Sequence, residues 1–176
     1  MKKLLLSLCA MLIGMTAFAG NPLKVVTANV NLKDFMKEKE NAVLVMDWSK
    51  AKYDNKKTAA AEFGKDFAFI KKDCADKFIE AFNDKSKGIT LQSTAKGAKY
   101  KFVFVVKNVD SFTNVMGYGP RTEAKFWGTL KIQNAKNGKL LAEISITEAE
   151  DGVDYVRREA FGKTCKILGK QVAKLK

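Results

Sequence analysis

Two runs of alternating apolar and polar residues, separated by an Asn-Gly pair, constrain this chain more than any other segment. In Ala124 to Gln133, Phe126, Gly128, Leu130 and Ile132 share one face, while Lys125, Trp127, Thr129 and Lys131 share the other. In Leu140 to Thr147, Leu140, Ala142, Ile144 and Ile146 recur at every second position. A period of two is that of a half-buried strand. Asn137-Gly138 between the runs is the strongest short-range hairpin signal. Register then selects the loop. A two-residue loop sets Ile132 against Glu143, an apolar residue against a polar one on the same face. A three-residue loop, Lys136-Asn137-Gly138, sets Ile132 against Ala142 and Leu130 against Ile144. It also asks Gly138 to be left-handed in a bulge. The sequence predicts the second.

Further strands follow from the same reasoning. Tyr100, Phe102, Phe104 and Val106 alternate with Val103 and Val105, between Lys101 and Lys107. Apolar residues on both sides place that strand centrally. Val43-Leu44-Val45-Met46 is a continuous apolar run, expected to be covered on both faces. Ile89 to Ser93 reads as a short strand, and Val25, Val26 and Val30 as an edge segment.

Two helices stand out. Over Phe67 to Asn83, Phe67, Ile70, Cys74, Phe78, Ala81 and Phe82 recur at three- and four-residue intervals, and Lys87-Gly88 is read as the stop. From Asp154 to Lys174, Phe161, Cys165, Leu168, Val172 and then Leu175 form an apolar seam. Lys163, Lys166, Lys170 and Lys174 form a basic stripe outside it. Lys33 to Lys39 reads as a short helix. Lys50 to Asp66 reads as a polar loop with a helical turn at Thr58 to Glu62. The order predicts an α+β two-layer sandwich, with a mostly antiparallel sheet of about five strands carrying two amphipathic helices on one face.

The first residues read as an address. Lys2 and Lys3 precede an apolar run from Leu4 to about Phe18, which ends in Ala17-Phe18-Ala19. This is the pattern of a secretory signal peptide cut after Ala19, leaving residues 20–176 as one domain. Cys9 follows Leu8 in the middle of the run, which does not suit a lipid-acceptor cysteine. The expected product is soluble and exported, periplasmic or secreted. No later stretch is long and apolar enough to span a bilayer.

Composition narrows the chemistry. The 176 residues include 32 Lys+Arg, 19 Asp+Glu and no histidine. Histidine-based acid–base catalysis, Ser-His and Cys-His nucleophiles and His-containing metal sites are therefore excluded. The formal net charge is +13, of which Lys2 and Lys3 leave with the leader. Lysines dispersed along a chain most often keep a surface solvated. Among specific partners, export favours an anionic envelope component over nucleic acid, for which Trp48, Tyr53, Trp127 and Tyr118 would be the stacking groups.

The segments Val43 to Ser49, Phe78 to Asn83, Lys99 to Val105 and the Trp127-to-Ile146 hairpin together resemble small secreted Bacteroidetes proteins of no assigned function. The element order is similar to the sandwich shared by the N-terminal domain of TolB, the CsgG periplasmic domain and LpoB-type envelope lipoproteins. The resemblance implies an envelope module and carries over no site residue. Unlike the lipoproteins, this chain has no lipid-acceptor cysteine.

The candidate residues are few. Trp127 and Tyr118 mark a sheet face open to a partner, and Lys163, Lys166, Lys170 and Lys174 mark a basic one. Cys74 and Cys165 are either a disulfide or two buried thiols. Glu148, Glu150, Asp151 and Asp154 are read as a strand–helix turn with an Asp cap rather than a calcium loop, since EF-hand spacing is missing. Gly117 to Arg121 lacks the strand–loop–helix context of a phosphate site and reads as a turn. No cofactor or metal is expected. The leading expectation is a non-enzymatic envelope module that binds a protein or an anionic envelope component. The alternative is a hydrolase using the acidic residues.

Overall fold

A computed structural model describes residues 21–115 and 120–176. The segment read as a signal peptide, with Cys9, and Tyr118 lie outside the described residues. The chain runs β1 (Leu23–Ala28), α1 (Leu32–Phe35), β2 (Asn41–Asp47), β3 (Lys52–Tyr53), β4 (Lys57–Thr58), α2 (Ala59–Phe63), α3 (Phe67–Lys85), β5 (Thr90–Gln92), β6 (Tyr100–Val115), β7 (Pro120–Asn134), β8 (Leu140–Asp154) and α4 (Arg157–Val172).

The sheet has eight strands rather than about five. Six lie in the order β1-β8-β7-β6-β2-β5, and the β3–β4 hairpin joins alongside β6. It is mixed: β1, β8, β7 and β6 are antiparallel in turn, whereas β6–β2 and β2–β5 are parallel. The parallel pairs follow from α3, a 19-residue crossover between β2 and β5.

The hairpin keeps the expected register. Ile132 faces Ala142 and Leu130 faces Ile144, and Gly138 has φ +70°. The loop is longer than three residues. Asn134, not Ala135, meets Lys139, with its N–H donating to the Lys139 carbonyl at 2.9 Å. The bulge lies in the strands, between Ile132 and Gln133. The Asn134 side chain accepts from Lys136 N at 2.9 Å, which favours the wider turn.

β6 continues to Val115 because a bulge between Val106 and Asn108 resets its parity. Phe102, Phe104 and Val106 point to the core before it and Val109 after it. Gly88 does not end α3. Ser86 is the C-cap, and Gly88 instead lets the Lys37 backbone approach to 2.3 Å from where a Cβ would sit. Residues 50–66 are not plain loop. Asp54 and Asn55, with φ +48° and +55°, turn the β3–β4 hairpin, and Thr58 caps α2 by accepting from Ala61 N.

α3 and α4 lie side by side on one sheet face, as expected. Phe161, Cys165, Leu168 and Val172 are fully buried against Phe126, Leu130 and Ile144 in one continuous core. α4 starts at Arg157, three residues later than expected, because β8 stays paired with β7 as far as Asp154.

Candidate interaction surface

The two-residue period of β6, β7 and β8 sends every second side chain away from the helices. On that side lie Val103 and Val105 of β6, Trp127, Thr129 and Lys131 of β7, and Glu143 and Ser145 of β8. Val45 of β2 continues the row. Thr129 is buried among its neighbours, Val45 is 36% exposed, and the others are half-buried. Beyond the β6 bulge, Asn108 stands opposite Trp127, and Phe112 opposite Glu123. Phe112 is 62% exposed. Unbroken alternation from Phe102 would place Phe112 in the core, and the bulge after Val106 turns it outward instead.

The charges on this face are mixed. Lys131 faces Glu143 directly, with N···O at 4.0 Å. Lys125 bridges Glu148 at 2.7 Å and Glu150 at 3.0 Å. These two carboxylates, Glu148 first, raise the Lys125 pKa above the ordinary lysine value. Lys101 flanks Val103 and has no such partner among the described ion pairs.

The edge beside this face is open. β5 pairs only with Asn41–Val43, so among the described residues Leu44–Asp47 present an unpaired strand edge. A recess of about 460 Å³ opens there, lined by Val45, Trp48, Phe67, Lys71, Lys101 and Val103 among others. The expectation that the apolar run of β2 is covered on both faces is corrected at Val45, over which no element packs among the described residues.

The structure separates the other candidates from this face. Lys163, Lys166 and Lys170 belong to α4, in the helix layer on the opposite side, and Lys174 lies in the turn that follows it. Two of them are tied to carboxylates. Lys163 pairs with Asp154 at 2.7 Å and Lys166 with Glu80 at 3.3 Å. Lys170 lies close enough to Asp84 to help hold that carboxyl low, after the larger effect of Lys85. The stripe is thus partly neutralised by α3 and by Asp154 at the end of β8.

Of the aromatic groups, Trp48 is 7% exposed and packs edge-on against Phe67 and Phe126, with centroids 5.8 and 5.7 Å away. Tyr53 packs on Phe63 and under Arg157. Both serve the core and offer no stacking platform. Trp127 remains on the open face.

The acidic cluster is not a turn. Glu148 and Glu150 lie within β8 and hold Lys125. Asp154 pairs with Lys163 and accepts from Val156 N at 3.1 Å, contacts that lower its pKa. Val156, without a side-chain cap, is the N-cap of α4. Among the described residues no group of three or more acidic or cysteine side chains could hold a metal ion. Cys74 and Cys165 are free thiols, both fully buried.

A polar hub absent from the sequence reading joins α4 to the β3–β4 hairpin and α2. The Arg157 guanidinium donates to Ser111 Oγ at 2.9 Å, lies over the Tyr53 and Phe63 rings, and pairs with Glu62, which also binds Lys57. An arginine next to the acidic end of a strand was the only signal.

No protein-family model and no curated protein matches the chain, so the resemblance to Bacteroidetes proteins gains no support from either comparison. Among solved structures, the chain is similar to a PelC dodecamer from Paraburkholderia phytofirmans, with TM-score 0.43, 10% identity and coverage of 86% of this chain and 96% of that one. It is similar to a neuraminyllactose-binding hemagglutinin homolog from Helicobacter pylori, with TM-score 0.38, 12% identity and coverage of 77% and 82%. It is also similar to a minor lipoprotein from Acinetobacter baumannii, with TM-score 0.40, 10% identity and coverage of 77% and 91%. Likenesses this distant carry no activity to this chain. Among the described residues no helix is long and apolar enough to cross a membrane.

Proposed function

We propose that this chain is a non-enzymatic, exported envelope module that binds a protein or an anionic envelope component through its bare sheet face. One observation carries the reading. Among the described residues, no element covers the side of the sheet that bears Val45, Val103, Val105, Trp127 and Phe112. An apolar row left open beside lysines is the composition of an interaction surface, with an aromatic anchor and a charged rim. The unpaired edge of β2 adds backbone donors and acceptors at its border.

The test uses the mature chain, immobilised and exposed separately to envelope extract and to vesicles of anionic phospholipid. Trp127→Ser combined with Phe112→Ser should abolish retention of the bound component while leaving the thermal midpoint close to wild type. Lys166→Glu combined with Lys170→Glu should leave retention unchanged. Loss only in the lysine variant would move the site to the helix layer. Retention unchanged in both would remove the binding reading.

A further inference from the structure

α3 and α4 approach more closely than ordinary helices because α4 offers glycines where they meet. A Cβ on Gly162 would lie 1.8 Å from Asp73 Oδ2, and a Cβ on Gly169 would lie 2.4 Å from the Phe78 carbonyl oxygen. Lys166 also reaches Glu80, further along α3. From the first glycine contact to the second, the numbers rise on both helices, Gly162 to Gly169 and Asp73 to Phe78, so the two run parallel. Cys74 follows Asp73, and Cys165 lies between Gly162 and Gly169, one on each side of the same interface. Both are fully buried in it. Ordinary helix axes are about 8–10 Å apart, whereas a disulfide needs Cα atoms within about 7 Å. Glycine contacts on either side of Cys165 are the means of closing that gap.

We propose that Cys74 and Cys165 are joined by a disulfide in the exported protein, locking α3 to α4. The inference goes beyond the binding reading and rests instead on the leader. Lys2, Lys3, the apolar run and Ala17-Phe18-Ala19 direct the chain to a compartment where disulfides persist. The oxidant is a disulfide of the thiol-exchange class. One cysteine thiolate attacks a sulfur of that disulfide, forming a mixed disulfide and releasing a thiolate. The second cysteine, also deprotonated, displaces the remaining oxidant thiolate. The two cysteines lose two protons and two electrons, and the oxidant becomes two thiols. In the folded chain both sulfurs are sealed from any such reagent, and burial, with the adjoining Cys165, holds the Cys74 thiol well above its ordinary pKa. The bridge therefore forms while α4 is still docking. It closes a loop on the order of ninety residues, long enough to constrain the unfolded chain strongly.

The test has two arms. In the first, the full chain with its leader is expressed in a bacterium, and its periplasmic fraction is quenched with acid, denatured and treated with N-ethylmaleimide without reductant. Intact mass should be two hydrogens below the dithiol, with no adduct. After reduction it should show two adducts. In the second, the reduced mature chain is refolded from denaturant with oxidised glutathione, and in parallel the folded reduced chain receives the same reagent. Refolding should give the bridged monomer, and the folded chain should stay reduced. Bridged wild type should melt on the order of 10 °C above its reduced form. Cys165→Ala should show no reductant-dependent shift. Two adducts on unreduced protein in the refolding arm would overturn the proposal. So would two adducts on the processed periplasmic chain. If the host leaves the leader uncut, the refolding arm decides alone, and neither arm depends on a binding partner.

Discussion

Gly169 of α4 lies against the main chain of Phe78 in α3, so that a Cβ there would come within 2.4 Å of the Phe78 carbonyl oxygen. Backbone cannot swing aside as a side chain does. Gly169→Ala gains up to about 1 kcal/mol of helix propensity but forces the helices apart, at a cost of about 1–3 kcal/mol or more. The net expectation is a lower urea midpoint. Gly162→Ala is the contrast. Its Cβ meets Asp73 and Lys77 side-chain atoms, which can rotate toward water. That variant should cost clearly less than Gly169→Ala, and equal losses would mean that the helices do not touch as described.

Leu168 is fully buried in the seam of α4. Leu168→Ala should cost about 2–5 kcal/mol, the range for truncating a buried leucine. Lys166→Glu with Lys170→Glu places new carboxylates beside Glu80 and Asp84 on a solvent-accessible surface. It should cost less than about 1 kcal/mol, and high salt should erase that cost. Chemical denaturation at two salt concentrations checks both statements.

The part of this fold that was legible in the sequence is the part with an unbroken period. Leu130, Ile132, Ala142 and Ile144 fixed a register that the structure keeps, and the seam from Phe161 to Val172 packs as its spacing requires. Legibility failed where the period breaks. The bulge after Val106 moves the core position from even to odd numbers, which hid the second half of β6 and its exposed Phe112. The charges of Glu148 and Glu150 disguised the end of β8, because strand pairing with β7 outweighs their poor strand propensity. Val45 looked doubly buried because a continuous apolar run does not say that the helices lie on one face of the sheet only. Trp48 and Tyr53 looked like platforms because aromatic identity alone does not distinguish a core ring from an exposed one.

Gly138 has φ +70° with open space where a Cβ would be. The cost of a side chain there is conformational rather than steric crowding. Gly138→Val should destabilise by about 1–2 kcal/mol, since a β-branched residue resists the left-handed region. Gly138→Asn should lose much less, because asparagine tolerates that conformation. Thermal midpoints of the two variants, measured together, separate this account from a nonspecific effect of replacing glycine.

Glu62 supplies the test of the Arg157 hub. Its side chain is only 12% exposed, and it is held by Lys57 and Arg157. These partners, Lys57 foremost, lower its pKa from an ordinary value of 4.5. The unfolded chain therefore takes up this proton at a higher pH than the folded chain. The stabilisation is fully present above the ordinary value and is lost as pH falls through the depressed one. Glu62→Gln removes the charge and should cost about 1–2 kcal/mol at pH 7, less than a fully buried pair because Lys57 and Arg157 are partly solvated. The variant should also lose less stability than wild type as pH falls below 4.5. The other depressed carboxylates, Asp47, Asp84 and Asp154, titrate in both proteins and cancel in the comparison. Urea midpoints measured from pH 7 down to about 3 should therefore converge for the two proteins. Curves that stay parallel would mean that Glu62 does not hold its proton affinity down through Lys57 and Arg157.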